Sequence, residues 1–371
     1  MSGVDDATST STASPVTATS LRRYDVDAVR TIAIGLLIVY HCALSFTFIA
    51  GFIGFPQNDV TMDLLWVPLA ALNVWRIPIL FLISGMGVYF AMRRRGNKAI
   101  VKDRTVRILV PLLFSCLVLW PLFHFGLLAL GWEANYNVQF GHLWFLLNIY
   151  VYALLLVPLF GYLKANPDHA VLRGMRALLH VPGGIFLLGL PLALEAWLVA
   201  PEAFSAYALS AHGWALGFVC FLIGYLCVSA GETFWASIER HRRLALGLAL
   251  LLYAIRLVVF EIERTPKPME AFESMLWMLA VSGFAARHLN APSAALSYFS
   301  QAVYPIYIVH MPIQFIAAYF ILGWSVPAMV KLLLLTAVTL VGSWALYEYV
   351  LRRINVLRPL FGMKSIKAPA A

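Results

Sequence analysis

Residues 78–95 read PILFLISGMGVYFAMRRR. Everything from Pro78 to Met92 is uncharged, and three arginines follow without a break. With the preceding residues from 72, the apolar run is about 20 residues long, the length at which an α-helix crosses the hydrocarbon layer of a membrane. Arginine packed against one end of such a run marks the cytoplasmic side, where positive charge is retained. This stretch predicts a membrane-spanning helix together with its direction.

Working outward, comparable stretches lie at 28–50, 72–92, 106–130, 143–163, 181–200, 213–230, 244–262, 271–287, 294–322 and 326–351. The predicted fold is all-α, a polytopic membrane bundle of about ten transmembrane helices over residues 22–364. Residues 1–21, rich in Ser and Thr, read as a disordered cytoplasmic tail and not as a signal peptide, since they lack a basic start and an apolar core. Residues 365–371 read as a second cytoplasmic tail. Composition agrees: 61% of the 371 residues are hydrophobic and 12% charged, where a soluble domain keeps roughly a quarter charged. The lipid bilayer is the first predicted partner.

Lys and Arg crowd one set of connections, from Arg22 and Arg23 through Arg93–Arg107, Lys164–Arg176, Arg240–Arg243 and Arg287 to Arg352–Lys367. The opposite connections hold only Arg264 and Lys267. Both termini are therefore expected in the cytoplasm. The formal charge of +9 does not indicate nucleic acid, because the basic residues sit between apolar runs and not on a patch interleaved with aromatics. Cys42, Cys116, Cys220 and Cys227 all fall in apolar segments and read as free interior residues. Trp66, Trp132, Trp144 and Trp324 fall at outer helix ends, as an aromatic belt requires.

Charged and polar residues inside spans cost several kcal/mol and need a partner or a function. In YDVDAVRTIAIGLLIVYH (24–41), Arg30 and His41 are 11 residues apart. They share a helix face, with His41 about 16 Å farther along the axis. Asp27, one turn before Arg30, can pair with it. In SQAVYPIYIVHMP (300–312), Tyr304, Tyr307 and His310 recur at steps of three, between Pro305 and Pro312, which are expected to break or kink the helix. Ser84–Gly85 permits close approach of a helix or a ligand, and tight packing alone also fits it. Arg104 and Arg107, a turn apart, could grip a phosphate. Towards the outside lie Arg76, Glu195, Arg256, and His142 with Trp144 in GHLWFLL (141–147). A salt bridge between Glu195 and an arginine fits this set; so does a hydroxyl-rich ligand held from outside. Glu348 is expected to pair with Arg352 or Arg30.

These motifs, taken in order, resemble the acyltransferase family 3 membrane enzymes: Arg30 and His41 with Asp27; Ser84–Gly85; Arg104, Arg107 and Pro111; and Tyr304, Tyr307 and His310. WRIPILFLISG, GHLWFLL and LYEYVLRRINVLRPLFG are most similar to the periplasmic-glucan succinyltransferase branch. The resemblance implies a bacterial inner-membrane enzyme that moves an acyl group, succinyl or acetyl, from cytoplasmic acyl-CoA to a hydroxyl of an extracytoplasmic glycan or glycolipid. His41 would be the catalytic base or transient acyl carrier with Arg30 beside it. Arg104 and Arg107 would hold the CoA phosphates near Ser84 and Gly85. Tyr304, Tyr307 and His310 would complete the centre, and Arg76, His142, Trp144, Glu195 and Arg256 would line the acceptor side. Acyl-CoA enters as co-substrate, with no resident cofactor or metal expected. A secondary transporter of a glycan or small anion is the rival reading, but its usual paired broken helices and internal repeats are missing from the sequence.

Overall fold

The computed structural model describes residues 22–129, 131 and 140–366. The expected tail at 1–21, most of that at 365–371, and Trp132 lie outside the described residues. The chain forms helices α1 (Tyr24–Leu44), α2 (Trp66–Met92), α3 (Asn97–Leu128), α4 (Trp144–Ala165), α5 (Ala170–His180) and α6 (Gly184–Val199). It continues with α7 (Ala211–Ser229), α8 (Glu232–Val258), α9 (Lys267–His288), α10 (Ala294–Ile321) and α11 (Ala328–Leu351). Among the described residues, seven helices are long and apolar enough to cross a membrane: α1, α2, α3, α4, α7, α10 and α11. α6 is apolar but shorter. The remaining expected stretches lie on α8 and α9. α5 is a short amphipathic helix that buries Leu172 and Leu179.

α1 is central, packing on α2, α9, α10 and α11. α2 is the most buried of the seven spans, whereas α11 turns Leu333, Val341 and much of its remaining surface outward. Leu117, Leu122 and Phe125 on α3 are likewise exposed, a surface suited to acyl chains and not to water. Gly85 explains how α2 comes so close to α7. A β-carbon there would meet the Phe221 carbonyl oxygen at 1.9 Å, and one at Gly224 would meet that of Leu82 at the same distance. The two helices thus touch backbone to backbone at paired glycines.

Neither proline breaks α10, which runs unbroken through Pro305 and Pro312. The expected interruption is replaced by a local effect. Proline lacks the N–H that would close on the carbonyl four residues earlier, and the carbonyl that Pro312 leaves free, that of Ile308, lies beside the His142 ring. α3 contains two π-helical turns, Thr105–Leu109 and Ser115–Leu119, a feature common near functional sites. After α11 the chain turns back beneath the bundle at Pro359–Phe361. Phe361 is buried there against Phe114, and Gly362, in the left-handed region at φ 72°, is so close to Tyr304 that a β-carbon there would meet its ring at 2.2 Å.

Candidate active site

Three histidines converge where α1, α10 and the turn before α4 meet. His41 Nδ1 lies 3.0 Å from His310 Nε2, with the two rings stacked at 5.3 Å. His310 Nδ1 lies 2.7 Å from the Tyr307 carbonyl oxygen. His142 stands edge-on to His310 at 4.7 Å and brings its Nε2 to 2.8 Å from the same carbonyl. Tyr307 reciprocates, its hydroxyl donating to the His142 carbonyl at 2.5 Å. His142, Tyr307 and His310 are buried, and His41 is half-buried.

The carbonyl fixes the proton positions. A carbonyl only accepts, so His310 Nδ1 carries hydrogen, and a neutral His310 presents a lone pair at Nε2. His41 must then donate from Nδ1, which leaves its own Nε2 as the basic nitrogen. Gln314, one turn beyond His310, donates to the His41 backbone carbonyl at 2.8 Å and ties α10 to α1 at this level.

A second group gathers towards the basic end of the bundle. Arg30 donates to Asp27 at 2.8 Å, and Asp27 also receives Arg22 at 2.8 Å. Arg30, Arg104 and Arg107 lie within electrostatic reach of one another. Asp103 is engaged by Arg95 at 2.8 Å, so the cluster carries excess positive charge. The buried Arg104 Nε and the Tyr304 hydroxyl have no hydrogen-bond partner among the described residues, and Tyr304 stands near both Arg104 and Arg107. Unpaired donors beside clustered guanidinium groups have the chemistry that an anion requires.

A family model described as an acyltransferase domain matches residues 23–348. The chain belongs to acyltransferase family 3. No curated protein and no solved structure matches it. The family match and the seven apolar helices make this chain a membrane-embedded family-3 acyltransferase.

Within that family-3 chain, Arg30 and Asp27 pair as the spacing predicts, and His41, His310 and Tyr307 meet in one cluster. Tyr304 joins the arginines instead of the histidines. Four other expectations change. Ser84 donates to the Leu80 carbonyl of its own helix at 2.7 Å and Gly85 is occupied by the contact with α7, so the pair serves packing. His142, expected on the acceptor side, is part of the histidine cluster. Trp144 is 9% exposed and packs against the core ring of Phe81. Glu195 pairs with His212 at 2.9 Å instead of with an arginine.

Arg256 is likewise satisfied, by Glu273 at 3.0 Å and Glu270 at 3.5 Å. Glu348 takes Arg352, not Arg30, at 2.5 Å. Sequence reasoning did not single out Asn73, Gln314, His212, Glu270 or Glu273. For Glu273 and His212 the signal was present, since each is an ionisable residue inside an apolar run; Gln314 and Asn73 carry no such mark.

Proposed function

We propose that the protein transfers an acyl group, succinyl or acetyl, from cytoplasmic acyl-CoA to a hydroxyl of an extracytoplasmic glycan or glycolipid, within a bundle of about ten spans whose two termini are cytoplasmic, in a bacterial inner membrane. The observation that carries this reading is the stacked His41–His310 pair, set one helix-length from an arginine cluster. Arg30 and His41 are separated by about 16 Å along α1, a distance the pantetheine arm of CoA can bridge. Arg30, Arg104 and Arg107 hold the phosphates, and the thioester carbon comes to His41.

In the reaction the acceptor hydroxyl gives its proton to His41 Nε2 as its oxygen bonds to the thioester carbon. The carbon–sulfur bond then breaks, and the CoA thiolate leaves and takes up that proton. The products are the ester and free CoA. His310 accepts from His41 Nδ1 throughout and so supports the charge that forms on the ring. Burial of the cluster keeps water from competing for the thioester.

The test is thioester turnover by purified protein in nanodiscs with an extracted envelope-glycan acceptor. His41→Ala should lower the rate about 10²–10⁴-fold while insertion is unaffected; wild-type turnover in that variant rejects the assignment. Reporter fusions after residues 97 and 136 should lie on opposite sides of the membrane, and a shared side rejects the span assignment.

A further inference from the structure

Arg76 is 3% exposed, and among the described residues it has no carboxylate partner. Its Nη2 donates to Asn73 Oδ1 at 3.0 Å, and its guanidinium lies over the Tyr40 ring at 3.9 Å. The Nε and Nη1 atoms have no hydrogen-bond partner. The two other cationic side chains buried as deeply among the described residues are answered: Arg256 by two glutamates, and Lys331 by the Asn58 side chain and the Leu322 carbonyl. A buried guanidinium left with free N–H groups is costly unless an anion arrives.

Its position indicates which anion. Tyr40 is the residue before His41, and the charge on Arg76 acts on the His41 ring. The phosphates already have the three arginines at the far end of α1. A donor that keeps its phosphates there and its carbonyl carbon at His41 extends only its acyl chain towards Arg76.

We propose that Arg76 receives a carboxylate at the end of the acyl chain, so that the enzyme selects dicarboxylic monothioesters over neutral acyl donors. This rests on the acyl-transfer reading above and decides between the two acyl groups left open there. A methyl-ended chain would leave the free N–H groups unanswered, and a site built around hydrogen bonds rejects analogues that lack the matching group strongly. Asn73 holds one edge of the guanidinium and the Tyr40 ring supports its face, which leaves the acyl chain to complete the set.

The experiment compares succinyl-CoA with butyryl-CoA, a chain of equal carbon count without the charge. The wild type should prefer succinyl-CoA by at least about 10²-fold in kcat/KM. Arg76→Met should invert that ratio, and Arg76→Lys should restore part of it. An unchanged ratio in Arg76→Met overturns the proposal, as does an equal loss for both donors, which would make Arg76 an oxyanion donor. If the wild type turns over neither thioester, the acyl-transfer reading fails and binding alone decides. Free succinate, and not butyrate, should then raise the melting temperature of the wild type and not of Arg76→Met; no such difference overturns the anion site itself.

Discussion

Replacing His310 by leucine removes the acceptor for His41 Nδ1 while keeping an apolar side chain against α1. The donor left behind is in a buried cluster, and an unsatisfied buried hydrogen-bonding group costs about 1–3 kcal/mol. If that energy is expressed on the barrier, at one decade per about 1.4 kcal/mol, the rate falls about 5- to 140-fold. The loss should appear in kcat and not in the KM for acyl-CoA, because the arginine cluster is at the other end of α1. His310→Gln is the informative companion. Its side-chain oxygen can stand where Nε2 now accepts at 3.0 Å, and it should recover most of the rate. CoA release under saturating donor, with melting temperatures in parallel, separates catalysis from folding. The reasoning is refuted if the leucine variant keeps the wild-type kcat, or if the glutamine variant is as slow as leucine.

Arg104→Ala and Arg107→Ala should each raise the KM for acyl-CoA about 10- to 150-fold, the value of a hydrogen bond between charged groups; unchanged donor affinity in both returns them to simple topology signals. Gly85→Ala forces a methyl group into the Phe221 carbonyl and should lower stability by about 1–3 kcal/mol, whereas Gly87→Ala, which meets nothing within 4 Å, should melt as the wild type does. Glu195→Leu removes the buried partner of His212 and should destabilise by about 3–5 kcal/mol without changing acceptor KM; a selective acceptor defect would restore Glu195 to the binding site.

The seven apolar spans were legible because hydrocarbon thickness sets a helix length that apolar runs report directly. Arg30 with Asp27 was legible for a related reason, since a spacing of three on one helix fixes proximity without knowledge of the fold. Contacts between helices were not. Whether His142 faces outward or meets His310 depends on where α4 begins relative to α10, and no local periodicity encodes that. Glu195 illustrates the same limit: a buried carboxylate demands a partner, and the sequence offered arginines where the fold supplied a histidine 17 residues away. Pro312 is expected to break or kink its helix. The helix is not broken there; the proline withholds one N–H, an event that acquires meaning only once a histidine from another segment is beside it.

The paired glycines between α2 and α7 bear on how substrates enter. A screw motion of α2 by one residue, about 1.5 Å along its axis with about 100° of rotation, would carry the β-carbon of Ser84 or Met86 to where only Gly85 fits against the Phe221 carbonyl, and the same motion of α7 would bring a neighbour of Gly224 against the Leu82 carbonyl. The two helices therefore behave as one interlocked beam. An opening that admits the two proposed substrates therefore has to be made by the other helices.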